Sequence, residues 1–332
     1  MANALSACHR PAPRALACAL ALAAALCGSA AFAAFPDKPV TLIAPFPPGG
    51  AADTLGRIVA RGMAQRLGQP MVVDNKAGAG TAIGASYVAQ QAPNGYTLLI
   101  SSNTTFTVNP AIKSKLPYDP IKSFESVGVI GKLPLVLLAH PSVPVKSVKD
   151  VVALAKAQPG KLSYASFGAA TTSHFAGEMF KVMAGADILH VPYKGSGPAM
   201  TDLIGGQVQL SFDTNLAALP QVQAGKVKVL AVTSAQRSRS MPTVPTIAES
   251  GYPGYEMVSW ITLVGPRGLP ADVSKTLSKA LADTVADPAI RAELEKAGLD
   301  TAYEPGSAFD ARVAKELPLL RAYVHKARIP MD

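Results

Sequence analysis

Short aliphatic runs alternate along this chain with segments whose apolar residues recur every three or four positions. That pattern predicts an α/β fold built on mostly parallel sheets flanked by helices. Residues 40–44 read as a strand, and from about Ala51 the residues Leu55, Ile58, Val59 and Met63 fall on one helical face. Residues 71–74 and 96–100 read as the next two strands, with a glycine-rich turn and a helix between them. After a long apolar stretch, 127–139, the same grammar begins again. Strand 162–165 leads to a loop of small residues, 166–172, and then to a helix with Phe175, Met179, Val182 and Met183 on one face. Strand 188–191, a turn over 193–198, a helix and strand 208–212 complete the second set.

The echo is one of architecture, since the two halves share little residue identity. Its simplest physical meaning is two similar lobes, each presenting helix N-termini at the carboxyl edge of its sheet, where open α/β sheets bind ligands. A second apolar stretch, 258–265, resembles 127–139, and both read as crossover strands joining the lobes. The expected division is 34–131 plus 259–332 for the first lobe and 132–258 for the second. The C-terminal helices, with the stripe Val273, Leu277, Leu281 and Val285, are expected to pack back onto the first lobe.

The N-terminus changes the compartment. Arg10 and Arg14 precede an apolar Ala/Leu run ending at Leu26, followed by Ala31-Phe32-Ala33, the pattern of a secretory signal peptide cleaved after Ala33. The expected location is therefore the periplasm. All three cysteines, Cys8, Cys18 and Cys27, lie in this segment, so the mature chain has no thiol for a disulfide or thiolate metal site. Lipidation at Cys27 is the lesser alternative, because Leu26 directly before the cysteine fits lipoprotein cleavage poorly.

Losing Arg10 and Arg14 takes 31 basic and 22 acidic residues to 29 and 22, about +7. The lysines and arginines are scattered and not interleaved with aromatics, which argues against a nucleic-acid partner. No later segment is apolar enough to span a bilayer.

The candidate chemistry sits in the loops. The first, residues 45–53, runs Phe46-Pro47-Pro48-Gly49-Gly50-Ala51-Ala52-Asp53 into a helix whose free N–H groups and positive dipole end favour an anion. A tight turn, with Asp53 complementing the helix start, explains the same residues equally well. The second loop, dense in small and hydroxyl residues from Ser166 to Ser173, also precedes a helix, so the two loops are placed to grip both ends of a dicarboxylate. Ser101, Ser102 and Asn103 close a third strand with further donors. Asp213 closes a fourth with an acceptor for an ammonium or hydroxyl, or else caps a helix.

Other motifs fall short. Gly78, Gly80 and Gly84 have the spacing G-x-G-x-x-x-G, which misses the dinucleotide fingerprint and reads as close packing. There is no G-x-S-x-G elbow. His174 and Glu178 stand four residues apart on a helix but lack further metal ligands. Nothing nominates a nucleophile with its base, so neither an enzyme nor a cofactor is expected.

Taken together, an ordered set of segments resembles the Bug/TctC family of extracytoplasmic receptors of tripartite tricarboxylate transporters. The segments are VTLIAPFPPGGAADTLGR at 40–57, DNKAGAGTAIG at 74–84, PNGYTL at 93–98, LPYD at 116–119 and PGKLSYAS at 159–166. HVPYKGSGP at 190–198, DLIGGQVQLSFD at 202–213, LAVT at 230–233 and PTVPT at 242–246 follow. Together they run over essentially the whole mature chain. The resemblance implies a two-lobed receptor that closes by a hinge on a carboxylate or related small solute and hands it to membrane transporter subunits; a monomer is expected. A sensor passing its closed state to a signalling partner, or an enzyme acting on a carboxylate, are the rival expectations. Carried onto this chain, the ligand contacts would be Phe46, Gly49, Gly50, Ala51, Ala52 and Asp53, with Ser101 and Asn103 as additions. From the second lobe come Ser166, Gly168, Thr171, Thr172 and Asp213. Phe167 stands where many members have a smaller residue, which leaves the ligand open.

Overall fold

A computed structural model describes residues 35–327 and Ile329. The expected signal peptide, its cleavage site and all three cysteines lie outside these residues.

The first lobe opens with β1 (Val40–Ala44), α1 (Ala51–Leu67), β2 (Met71–Asn75), α2 (Ala82–Ala89) and β3 (Thr97–Ser102). Both β2 and β3 pair with β1 in parallel. After β3 a π-helical turn, Thr104–Val108, runs into the short helix α3 (Asn109–Ile112). The second lobe repeats the pattern with α4 (Val148–Ala157), β5 (Ser163–Ser166), α5 (Thr172–Ala184), β6 (Leu189–Pro192), α6 (Ser196–Ile204), β7 (Leu210–Thr214), α7 (Asn215–Gln223) and β8 (Lys228–Val232). Here β5 pairs in parallel with both β6 and β7.

Between them runs β4 (Phe124–Ala139), and the return is β9 (Val258–Pro266). One long strand serves both lobes because it changes partner along its length. Residues up to Pro134 face β9, whereas Leu135–Ala139 face β7. Pro134, which has no N–H to give a ladder, stands at the change. The strands therefore run in the order β2-β1-β3-β9-β4-β7-β5-β6, parallel within each lobe and antiparallel where the chain crosses and returns. The C-terminal segment adds α8 (Ala271–Ala286), α9 (Pro288–Lys296), β10 (Asp300–Pro305) antiparallel to β4, and α10 (Gly306–Ala327).

Burial separates into cores on either side of the crossing strands, although Val108, Ala111 and Ile112, which follow β3, join the core that holds Phe175, Phe180 and Phe212. Val273, Leu277, Leu281 and Val285 of α8 pack with Leu42, Leu55, Val59 and Met63 of the first lobe, as their spacing predicts. Helix α10 departs from the expectation that the C-terminal helices stay on that lobe. Its Phe309 and Val313 pack with Phe106, Phe124 and Trp260 of the first lobe. One to three turns later, Leu317 and Val324 enter the core that holds Phe175, Phe180 and Phe212 of the second. A 22-residue helix is long enough to touch both cores at once.

Candidate functional site

A cavity of about 90 Å³ lies where the carboxyl ends of β1, β3, β6 and β7 converge. Its polar lining is Ser102, Ser196, Thr214 and Ser259, and Phe46, Phe167, Leu133 and Ile261 supply apolar surface. No lining residue carries a charge. Strand register builds the floor: Leu133 lies opposite Ser259, while Leu135, two residues on, lies opposite Thr214. Each lobe adds a helix N-terminus to the walls. Gly50, Ala51 and Ala52 begin α1, and Gly195, Ser196 and Gly197 begin α6. Neither helix has a side-chain cap on its first turn, so the amides that helices leave unpaired there remain available at the cavity walls.

Of the residues singled out from sequence, Phe46, Gly50, Ala51 and Ala52 line this space. The others stand behind it. Asp53 is buried and turns away from the cavity, accepting from Gly49 N–H at 2.9 Å, Asn75 Nδ2 at 3.0 Å and Arg57 Nε at 3.2 Å. Burial pushes its carboxyl up, but the bonds from Arg57, Gly49 and Asn75 outweigh this and hold it below the ordinary range. Gly49 and Asp53 thus shape the first loop from within.

Ser101 bonds Thr105 Oγ1 at 2.6 Å, and its neighbour Ser102 lines the cavity instead, because successive strand residues point to opposite faces. Asn103 ties the lobes together: its Nδ2 donates to Val258 O, and its Oδ1 accepts from Thr172 and Ser259 hydroxyls. Thr172 N–H also donates to Thr104 Oγ1 at 3.1 Å. Asn103 and Thr172 are therefore junction residues in this structure and do not line this cavity.

The second loop differs from expectation for a related reason. Thr171 caps its own helix, accepting from His174 N–H while donating to Gly168 O at 2.6 Å. Ser166 Oγ bonds His190 Nε2 at 2.7 Å and Gly168 O at 3.1 Å. With these groups satisfied internally, the second-lobe helix that meets the cavity is α6 and not α5. The signal for it was present in the sequence as Lys194-Gly195-Ser196-Gly197-Pro198, a glycine-rich helix start without a capping residue, like the first loop. Gly195 is required there on two counts. Its φ is +124°, and a Cβ would stand 3.1 Å from Pro47 of the opposite lobe.

Asp213 is fully buried directly behind this wall. Ser196 Oγ donates to its two carboxylate oxygens at 2.8 and 2.7 Å, and Thr214 N–H donates to Oδ1 at 2.7 Å. Burial pushes the carboxyl up to about 6, against the lowering effect of these bonds.

The remaining motifs are structural. A Cβ on Gly84 would stand 2.8 Å from Lys76 O and from Pro45, and one on Gly80 would meet Ala169 O of the second loop at 3.0 Å. Glu178 bonds Tyr164 and Lys181, and the His174 ring stacks on His190 at 4.1 Å. Among the described residues no cluster of three or more potential ligands is arranged for a metal ion.

Residues 55–318 match the family model described as the tripartite tricarboxylate transporter family receptor, TctC. The chain belongs to this receptor family. It is 36% identical over 257 residues to BugT of Bordetella pertussis, covering 77% of this chain and 79% of that protein. It is 35% identical to an R. palustris protein whose structure was solved with adipate, with a TM-score of 0.87 over 90% of this chain and all of that one. MatC from Rhodopseudomonas palustris, solved with bound malate, is 30% identical with a TM-score of 0.81, over 87% of this chain and all of that one. The periplasmic binding protein BugD is 34% identical, with a TM-score of 0.85 over 90% of this chain and all of that one. A TctC receptor is a periplasmic solute-binding protein of a transporter. The neighbours are likewise described as a periplasmic transporter and a periplasmic binding protein.

Proposed function

We propose that this receptor captures a small carboxylate between its lobes by hinge closure and delivers it to the membrane subunits of a tripartite tricarboxylate-type transporter. The observation that carries the reading is the pair of uncapped helix starts, at Ala51 and at Ser196, on opposite walls of one cavity that has no charged side chain. Helix N-termini stabilise anions by about 0.3–1 kcal/mol each at exposed sites and by up to about 2 kcal/mol when partly buried. In a space that excludes water, the serine and threonine hydroxyls and backbone amides bind charge more strongly than they would in solvent. The two similar proteins seen with adipate and with malate hold dicarboxylates, which agrees with a carboxylate for each end of such a cavity.

Closure follows from the lobe division proposed here, 34–131 plus 259–332 against 132–258. The partner change of β4 at Pro134 and the bonds of Asn103 to Val258 and Ser259 supply a pivot. Pro47 against Gly195, together with Phe46 against Phe167, supplies the lips that part when the cleft opens. A solute that touches both walls favours the closed population by its differential affinity. Export through cleavage after Ala33 places the mature receptor in the periplasm.

The test is a thermal-shift panel on purified protein, unfolded and refolded to strip carried-over solute, with succinate, adipate, malate, glutamate and benzoate. A one-site ligand at a hundredfold excess over Kd adds about 2.7 kcal/mol of stability. A selective rise with one or a few acids is the expected result. Failure of every acid to raise the melting temperature would refute the carboxylate reading, and turnover of any of them would refute the receptor role.

A further inference from the structure

The acid behind the second wall has a consequence for which solutes fit. A serine hydroxyl has one proton and two lone pairs. The proton of Ser196 is committed to Asp213, whose oxygens lie 2.8 and 2.7 Å from Oγ, and Thr214 N–H already occupies Oδ1. What Ser196 has left for the cavity is acceptor capacity alone. On the same wall, the uncapped start of α6, to which Ser196 itself belongs, offers N–H donors. The second-lobe wall therefore presents an acceptor beside donors, and a bare carboxylate satisfies only the donors.

We propose that Asp213, acting through Ser196, selects solutes in which the carboxylate reaching the second lobe carries a hydrogen-bond donor on the neighbouring carbon. The chemical class is a 2-hydroxy or 2-amino acid, whose carboxylate meets the α6 amides while its hydroxyl or ammonium donates to Ser196 Oγ. Asp213 touches no solute: it is fully buried, and Ser196 and Thr214, not Asp213, line the cavity. It is a positioning residue that fixes the direction of the Ser196 hydroxyl. Burying a carboxylate without a cation is costly. The groups acting on Asp213 are Ser196 at the start of α6 and Thr214 at the start of α7, neither of them charged. Orienting the cavity hydroxyl is the role that this cost supports.

The inference rests on the carboxylate-receptor reading above, and the experiment separates the two. Calorimetric affinities are compared for matched acids: succinate with malate and aspartate, and adipate with 2-hydroxyadipate and 2-aminoadipate. Wild-type protein is expected to bind a hydroxy or amino member at least about tenfold more tightly than its parent, the penalty for leaving a cavity acceptor unpaired. The hydroxy and amino arms identify which donor is taken. In Asp213→Asn the side-chain amide donates to Ser196 and frees its proton, so the preference should collapse to below about threefold while the parent acid still binds. Ser196→Ala should do the same and serves where Asp213→Asn does not fold. A merely structural role would weaken both members of a pair alike and leave their ratio unchanged, and that result overturns the proposal. So does a wild-type protein that binds parent acids as well as or better than their substituted partners, an outcome that leaves the receptor reading intact. Binding of none of the acids refutes both.

Discussion

The rings of Phe46 and Phe167 meet edge to face across the cleft, 6.1 Å between centroids and 84° between planes. Phe46 follows β1 in the first lobe and Phe167 follows β5 in the second, so the contact exists only when the lobes are together. An edge-to-face pair contributes about 0.5–1.5 kcal/mol beyond its buried area. Phe46→Ala and Phe167→Ala should each weaken solute binding, and a double-mutant cycle on binding free energy should return a coupling of that size. Additive losses, with no coupling in the bound state, would separate the two rings from closure.

Asp53 holds the first loop from inside rather than from the cavity. Asp53→Ala removes the acceptor of Gly49, Asn75 and Arg57 at once and leaves Gly49 N–H without its partner. A loss of about 1–3 kcal/mol in unfolding free energy is expected, with weaker solute binding as the Ala51 helix start loosens. Urea unfolding together with calorimetry checks it. Unchanged stability with lost binding would instead make Asp53 a direct ligand contact.

Asp213 makes stability depend on pH in a definite direction. Its folded value of about 6 lies above the ordinary 3.8, so the folded state holds the proton more tightly than the unfolded chain. The associated stability is complete below about pH 4 and is lost as pH rises through 6. It amounts to about 3 kcal/mol at 1.36 kcal/mol for each factor of ten in proton affinity. Asp213→Asn has no such proton. The stability of wild type relative to this variant should fall by about that amount between pH 3.5 and pH 7.5 in urea titrations. A difference that is flat with pH would mean that the carboxyl titrates normally, and one that grows would mean that folding lowers its pKa; either overturns the prediction.

Gly177 lies under the ring of Tyr164, where a Cβ would come within 2.2 Å of a ring carbon. That ring cannot yield easily, because its hydroxyl donates to Glu178 at 2.8 Å and its face stacks on His190 at 4.9 Å. Gly177→Ala should cost about 1–3 kcal/mol by overpacking. Gly197→Ala, which meets open space, should stay within about 0.5 kcal/mol in the same thermal measurement. Equal stability of the two variants would contradict the packing.

Periodicity in the chain was enough to place most of the strands and the helices that follow β1, β2, β5, β6 and β9, and to identify the α/β class, because apolar spacing reports directly on which face of each element is buried. It did not single out α4, α7, α9, α10, β8 or β10. Glycines before a helix likewise pointed to Gly50, Ala51 and Ala52, which line the cavity. Three-dimensional packing decided the rest. Ser101 and Ser102 are chemically equivalent in sequence, and only the position of β3 beside β9 decides which of them faces the cavity. Thr171 and Ser196 both begin helices after small-residue loops, yet Thr171 spends its hydroxyl on Gly168 and on its own helix, whereas Ser196 remains at the wall. Local pattern records which groups a segment possesses. Whether a hydroxyl is already satisfied, and whether a helix such as α10 reaches a second core, depends on partners far away in the chain, brought near only by the fold.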